Sequence, residues 1–284
     1  MPIRLPKRCR MDLNTINEVT RPKTRSELTA WRAGDAFLGG GTWLFSEPQP
    51  RLKRLIDLST LGWQPLAVTG DGLEIASTCT VAQLDAFAAP VEWTAASLFG
   101  QCARAYLASF KIWNTATVGG NICMSLPAGP MISLTAALDG VATLWAADGS
   151  ERNVPVADFV TGPQRNVLRP GELMRSILLP KVALTRRAAF RQVSLANYGR
   201  SGALVIGTLA PDGAFALTVT ASTPRPVKLR FDAVPPADML ASRIDAEISV
   251  DAWYDDIHGL PAWRRHMTQH FAREIRDELA GAAR

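Results

Sequence analysis

The residues best suited to chemistry in this chain are glycines. In Thr117-Val-Gly-Gly-Asn-Ile122 a β-branched pair runs into two glycines and an asparagine, and Leu126-Pro-Ala-Gly-Pro130 follows shortly after. Paired glycines at a strand end let the backbone turn sharply or let another group approach it closely. With no side chains in the way, successive N–H groups can converge on an anion such as a pyrophosphate. A turn joining two core strands would use the same residues, because glycine is common punctuation.

Upstream, Ala36-Phe-Leu-Gly-Gly-Gly-Thr-Trp-Leu-Phe45 repeats the arrangement: an apolar, strand-like approach, then glycines and a threonine. Neither cluster is Gly-x-Gly-x-x-Gly, and neither has the Lys-Ser/Thr that a Walker loop needs after its last glycine. Two such loops, distant in sequence, could close on one phosphate group from both sides.

Other chemistry is sparse. His258, His266 and His270 lie near the C-terminus. The last two have the i,i+4 spacing of metal ligands, but no glutamate intervenes and nothing nearby completes a ligand set. A structural or surface role is expected for all three. No Gly-x-Ser-x-Gly elbow suggests a hydrolase. Cys9, Cys79, Cys102 and Cys123 form no Cys-x-x-Cys pair, so neither a disulfide framework nor a metal knuckle is expected. The chain has no iron–sulfur ligation pattern of its own.

The 284 residues suffice for two or three packed lobes, and 47% hydrophobic with 20% charged content is ordinary for a soluble globular protein. The net charge of +5 is scattered, with short groups at Lys7-Arg8-Cys9-Arg10, Arg186-Arg187 and Arg264-Arg265. No aromatic-and-basic module interleaves them, which argues against nucleic acid. No apolar run approaches the roughly 18 residues of a membrane span. The basic start lacks the apolar stretch of a secretory signal, so the cytoplasm is expected.

Several elements must position the glycines. Residues 1–10 read as a loose arm, and Met11 could equally be a start. Ser26 to Trp31 reads as a short helix ending near Gly34, with Ser26 as its cap. Ala36-Phe-Leu38 is the strand that delivers the first loop. Leu66-Ala-Val-Thr69 and Leu73-Glu-Ile-Ala76 around Gly70-Asp-Gly72 read as a hairpin. Thr80 to Phe87 is helix-like with Thr80 as cap. Residues 94–112 carry Leu98, Cys102, Ala105 and Phe110 at helical spacing, a helix leading straight to the second loop. Met131 to Asp139 reads as a buried helix, and Val141 to Trp145 as a strand with a hairpin at Asp148-Gly149. Phe190 to Val193 and Ala203 to Leu209 are β-like. Trp263, Met267, Phe271 and Ile275 are four apart on one face of a terminal amphipathic helix, preceded by Pro261 and followed by Gly281.

Together, the two glycine clusters carry a resemblance. Gly39-Gly-Gly-Thr-Trp-Leu44 resembles the Ala-Gly-Gly-Thr-Asp-Leu loop of the FAD-binding subunit of molybdenum hydroxylases, the family of carbon monoxide dehydrogenase and xanthine dehydrogenase. Thr117-Val-Gly-Gly-Asn-Ile122 is similar to that family's second FAD loop, and Leu126-Pro-Ala-Gly-Pro130 to the Ser-Pro-Ala-Gly-Asp after it. Leu55-Ile-Asp-Leu58 and Leu168-Arg-Pro-Gly-Glu-Leu-Met-Arg-Ser-Ile-Leu-Leu-Pro180 also fit the family pattern. The resemblance runs from about residue 12 onward.

It implies an α+β fold. A two-lobed FAD-binding domain spans 11–180, a small α/β lobe over about 11–60 and a larger α+β lobe over 61–180. A C-terminal antiparallel sheet packed with helices spans 181–284. It implies FAD as cofactor, with Phe37, Leu38, Gly39, Gly40, Gly41, Thr42, Trp43 and Leu44 forming the first loop and the amides of Gly39 to Trp43 facing the pyrophosphate. Thr117, Val118, Gly119, Gly120 and Asn121 form the second. Leu107 and Met174 fall near flavin-flanking positions, and Arg191 stands where many relatives have lysine, a cation of different geometry. Trp43 and Trp113 flank the loops, as packing residues or as borders of a flavin ring. Pro130 replaces the usual aspartate, removing a side-chain acceptor for cofactor hydroxyls.

The implied activity is electron transfer, since a flavin carries its own reactivity and needs mainly binding and orientation. The implied partners are a small subunit with 2Fe–2S clusters and a large molybdenum–pterin subunit, with a dimer of heterotrimers as one arrangement, and an external electron acceptor. The rival readings are a stand-alone FAD-dependent oxidase of related fold and a flavin-free assembly subunit.

Overall fold

Three short strands, β1 (Glu18–Thr20), β2 (Asp35–Leu38) and β3 (Arg54–Asp57), form a parallel sheet in the order β1-β3-β2. The computed structural model describes residues 13–28 and 31–281. The expected arm at 1–10, Met11 and Cys9 lie outside the described residues, as do Thr29 and Ala30. Of the helix expected over Ser26 to Trp31, the described part is a single 3-10 turn, Arg25–Glu27, with Thr24 rather than Ser26 as its N-cap. Buried Asp35 receives the guanidinium of Arg54 (Nε to Oδ1 2.9 Å) and thereby fastens β2 to β3 below the first glycine cluster.

The second sheet is antiparallel. The hairpin of β4 (Leu66–Val68) and β5 (Gly72–Ala76) forms as expected. So does that of β6 (Val141–Trp145) and β7 (Glu151–Pro155), with Asp148 Oδ1 accepting from Ser150 N in its turn. A small hairpin of β8 (Val160–Gly162) and β9 (Arg165–Asn166) follows. Then β10 (Leu173–Pro180) completes the order β4-β5-β10-β6-β7.

Helices cover this sheet. Helix α1 (Val81–Asp85) starts in a capping box: Thr80 Oγ1 accepts from Gln83 N while the Gln83 side chain accepts from Thr80 N. The single helix expected over 94–112 is instead broken. A 3-10 turn (Thr94–Ala96) runs into α2 (Ser97–Ala105), and α3 (Phe110–Trp113) follows separately. Tyr106 leaves helical geometry at ψ 83°, and Trp113 Nε1 donates to the Tyr106 carbonyl at 3.0 Å, tying the corner. Helical spacing alone does not register such a tertiary tie. Helix α4 (Val118–Met124) and helix α5 (Pro130–Ala137) come next. Every residue of α5 is buried, as its mostly apolar sequence allows, with the Ser133 and Thr135 hydroxyls both hydrogen-bonded. Two short helices, α6 (Val156–Phe159) and α7 (Lys181–Leu184), connect strands.

The C-terminal part is an antiparallel meander, β11 (Arg187–Val193), β12 (Ala203–Leu209), β13 (Phe215–Thr220) and β14 (Val227–Phe231). Helix α8 (Ala237–Glu247) and the long α9 (Pro261–Gly281) cover one face, and α9 buries Phe271, Ile275 and Leu279 against β11 and β12. The other face of β12 and β13 rests on α5, where Ser133 and Thr220 share a hydroxyl–hydroxyl bond of 2.6 Å. The architecture is therefore α+β, with the antiparallel C-terminal sheet packed between helices.

At the end of α5 sits a charge cluster. Lys228 Nζ, 6% exposed, donates to the carbonyls of Ala136 and Ala137 and to Asp139, which also receives Arg186 and Arg230. Burial works to raise the Asp139 pKa, but Lys228, Arg230 and Arg186 outweigh it and hold the carboxyl well below its ordinary value. The stability from this group is full above the ordinary carboxylate pKa and is lost as pH falls below it. Asp139→Asn keeps the tolerated positive φ of 53° but leaves Lys228 buried without its counter-charge. The expected loss is about 3 kcal/mol in urea unfolding at neutral pH, narrowing on acidification. A variant as stable as wild type would show that the cluster contributes nothing.

Candidate functional site

The first glycine cluster leaves the C-terminal end of β2, the end at which open α/β sheets bind ligands. The chain then folds into a tight turn, with Phe45 N donating to Gly41 O at 2.9 Å and Ser46 N to Trp43 O at 3.0 Å. Gly41 has φ +71°, and a β-carbon there would press on the Phe45 ring at 2.5 Å. Gly40 lies so near the Thr115 carbonyl oxygen that any β-carbon would overlap it. Among the described residues, no acceptor bonds the N–H groups of Gly39, Gly40, Gly41, Thr42 or Trp43. Buried or half-buried and without a protein acceptor, such a run of successive donors is the equipment an anion-binding turn requires.

The second cluster differs from the expectation. Thr117-Val-Gly-Gly-Asn is the beginning of a helix and no glycine loop. Thr117 is the N-cap of α4, its Oγ1 accepting from Gly120 N at 3.0 Å. Val118 N donates to Cys79 O at 2.8 Å, Gly119 N to Ser77 O at 3.0 Å and Asn121 N to Thr117 O at 2.9 Å. All four N–H groups are therefore bonded within the protein, whereas the expectation had both loops close on one phosphate from both sides. Gly119 is required because the Ser77 backbone passes where its side chain would be. Asn121 Oδ1 accepts from Met131 N at 3.1 Å and so fixes the start of α5. Pro130 opens that helix at N1, where a missing N–H is harmless, and its buried ring meets the cavity described next.

The two clusters meet on one cavity of about 500 Å³. Phe37, Gly39, Gly40, Gly41, Thr42, Trp43, Leu44, Leu107, Thr117, Gly120 and Asn121 line it. Leu38, Val118, Gly119, Met174 and Arg191 do not. Leu38 pairs with Asp57 in the sheet, and Val118 and Gly119 are buried in the first turn of α4. Met174 is 2% exposed within the core behind β10, while its neighbour Leu173 borders a second cavity of about 530 Å³ with Arg25, Trp145 and Phe37. Arg191 stands on the face of β11 turned to α9, where Glu274 (2.9 Å) and Glu278 (2.7 Å) hold it. Trp113 packs against Tyr106 and is absent from the lining.

Sequence reasoning missed the far wall. Arg200, Ser201, Tyr254, Asp256, Ile257, His258 and Arg264 from the C-terminal part complete the cavity, with Tyr106 and Leu126 to Gly129 nearer the glycines. His258 thus lines the cavity rather than the bulk surface, whereas His270 pairs with Glu274 on exposed helix surface at 3.3 Å. No spacing in the sequence links residues 200 and 256 to the glycines, so no local signal could have found this wall. Burial pushes the Cys123 thiol on the lining up to about 12, which favours its neutral form. Among the described residues no group of three or more His, Cys, Asp or Glu could hold a metal ion.

These features define a class. Residues 14–182 match the family described as the FAD binding domain in molybdopterin dehydrogenase. The chain belongs to this family, the flavoprotein component of molybdenum oxidoreductases. Among relatives, a xanthine dehydrogenase from Oryza sativa subsp. japonica is 31% identical over 121 residues, 40% of this chain and 9% of that protein. The chain therefore matches under a tenth of that relative's length. Quinoline 2-oxidoreductase from Pseudomonas putida 86 is similar in fold, with a TM-score of 0.78 at 18% identity over 94% of this chain and 96% of that chain. Carbon monoxide dehydrogenase from Hydrogenophaga pseudoflava is similar at a TM-score of 0.76 and 18% identity, over 91% and 95% of the two chains.

Gly40→Ala tests the junction of the two clusters. The added carbon meets backbone rather than a flexible side chain, so the turn must shift off Thr115. We expect a loss of about 1–3 kcal/mol in thermal or urea unfolding, with Gly70→Ala, which has open space around it, changing stability by less than about 0.5 kcal/mol. Equal effects of the two substitutions would refute the close approach.

Proposed function

We propose that this chain binds one FAD non-covalently in the 500 Å³ cavity, its diphosphate on the unpaired N–H groups of Gly39 to Trp43. The observation that carries this reading is that run of donors, open to the cavity beside the sheet's C-terminal end. Five successive N–H groups without an acceptor among the described residues suit a diphosphate, and the largely apolar lining suits an aromatic ring system. Thr117, Gly120 and Asn121 shape the opposite wall without donating backbone hydrogen bonds to it. In this reading Leu107 borders the ligand, while Met174 and Arg191 act through the packing of β10 and β11 and do not touch it.

Bound FAD would supply one- and two-electron chemistry, linking a 2Fe–2S relay on a small partner subunit to an external two-electron acceptor. A large molybdenum–pterin subunit would oxidise the substrate. The fold likeness covers nearly the whole of the similar chains, and the xanthine dehydrogenase match is a small part of a longer protein. The division into 11–180 and 181–284 is proposed on the same footing, with the cavity lying between residues of both parts. No helix among the described residues is long and apolar enough to cross a membrane, and the cytoplasm is the proposed location.

One observation favours a second reading. Asp256 and His258 place a carboxylate and an imidazole on the cavity wall, the equipment of a stand-alone oxidase with its own acid–base group. The two readings separate in one experiment. The purified chain titrated with FAD should take up one equivalent, acquire a flavin spectrum and release the flavin intact on denaturation. Thus loaded, it should pass electrons from a chemical reductant to a dye yet turn over no organic substrate. Absence of flavin uptake would refute the proposal, and substrate turnover by the metal-free chain would select the oxidase.

A further inference from the structure

The far wall of the cavity is built around a buried cation. Arg264 on α9 is 1% exposed, and its guanidinium makes four bonds to protein oxygens. Nε donates to Gly259 O at 2.8 Å and Nη1 to Gly202 O at 2.9 Å, with further bonds from Nη1 to Ala221 O and from Nη2 to Asp256 Oδ1. Burial depresses its pKa, and the neighbouring Asp256 carboxylate works against that. Arg264 thus joins β12, the end of β13 and the loop before α9 into one wall, with little capacity left for a ligand.

Asp256 is different. Its Oδ1 is doubly engaged, by Arg264 and by the backbone N–H of His258 at 2.8 Å, which fixes the plane of the carboxylate. Its Oδ2 has no partner among the described residues, and the side chain remains 28% exposed on the cavity lining. Among the described lining residues it is the sole carboxylate. An oriented, accessible carboxylate on a wall that otherwise presents Arg200, Ser201, Tyr254, Ile257 and His258 is its strongest acceptor and selects a hydrogen-bond donor on the ligand.

A flavin dinucleotide offers such donors on both sides of its diphosphate: ribose hydroxyls towards the adenine and ribityl hydroxyls towards the flavin. Whichever way the dinucleotide lies, a hydroxyl-bearing chain adjoins the phosphates that the glycine turn would hold. Resting on the flavin reading above, we propose that Asp256 Oδ2 accepts a hydrogen bond from a sugar-chain hydroxyl of the dinucleotide, making Asp256 a specificity-determining residue supplied by the C-terminal part. The wall is paired with Arg264, so the carboxylate adds an acceptor without adding net negative charge beside the diphosphate.

The bland alternative is that Asp256 serves only as the counter-ion of Arg264. Asp256→Asn separates the two, because its amide oxygen can still accept from Arg264 and His258 while an NH₂ replaces Oδ2 at the cavity. In calorimetric titrations of the whole chain, FAD should bind the variant about ten- to a hundred-fold more weakly, the worth of a hydrogen bond to a charged group. The ligand-free thermal midpoint should fall as well, because Arg264 loses its counter-charge, so the affinity is read on the folded protein well below the transition. Unchanged FAD affinity in the variant, or a lowered midpoint with unchanged affinity of the folded protein, would overturn the inference.

A second measurement needs no variant. Among FAD analogues lacking single hydroxyls of the ribose or the ribityl chain, one should bind the unaltered chain at least about ten-fold more weakly. Which analogue it is identifies the source of the hydroxyl. If every analogue binds as FAD does, the inference fails. Failure of the unaltered chain to bind FAD at all is a separate result, which overturns the flavin reading and this inference together.

Discussion

The cavity depends on how closely two backbones meet at Gly40. There the turn after β2 touches the Thr115 carbonyl, with no room for even one methyl group between them. The neighbouring contact is nearly as tight: a β-carbon on Gly39 would lie 3.0 Å from Thr117 Oγ1. That hydroxyl already accepts from Gly120 N, so a single threonine caps α4 and sets how near the first turn can come. The N–H groups of Gly39 to Trp43 have no acceptor among the described residues, and all five residues line the cavity. The glycines of the first cluster therefore act through their fit to the protein as much as through access for a ligand.

A second constraint holds the opposite wall. Arg264 ties the Gly202 and Ala221 carbonyls to the loop carrying Asp256, so the C-terminal sheet and α9 present their residues to the cavity as one unit. Helix α5 joins this unit to the glycine clusters. Its start is fixed by Asn121, its middle by the Ser133–Thr220 bond, and its end by Asp139 with three cations. A buried helix held at three points transmits the position of one wall to the other.

Much of this was legible in the sequence because it was local. Alternating apolar runs bounded by glycine marked β2 and both hairpins, Thr80 marked α1, and the four-residue spacing from Trp263 to Ile275 marked α9. The misreadings share one cause, tertiary contacts overriding local preference. Thr-Val-Gly-Gly is a poor helix start by propensity, each glycine costing about 1 kcal/mol relative to alanine. The helix forms there because Cys79 O, Ser77 O and the Thr117 hydroxyl accept its first N–H groups. Arg191 has the right charge for an anion site, but the two-residue period of β11 turns it to α9 and its glutamates. The wall containing Arg200, Asp256 and His258 is assembled from loops far apart in the chain, and nothing in their spacing announces it.

The central claim is that the first glycine turn, and not the start of α4, supplies the backbone donors for the ligand. Amide hydrogen exchange with and without FAD, resolved to single residues by NMR, measures this directly. The account predicts fast exchange at Gly39 to Trp43 in the free chain and strong protection there once FAD is added. Val118 to Asn121, already bonded within the protein, should change little. Protection that appears at Val118 to Asn121 and leaves Gly39 to Trp43 exchanging freely would contradict it.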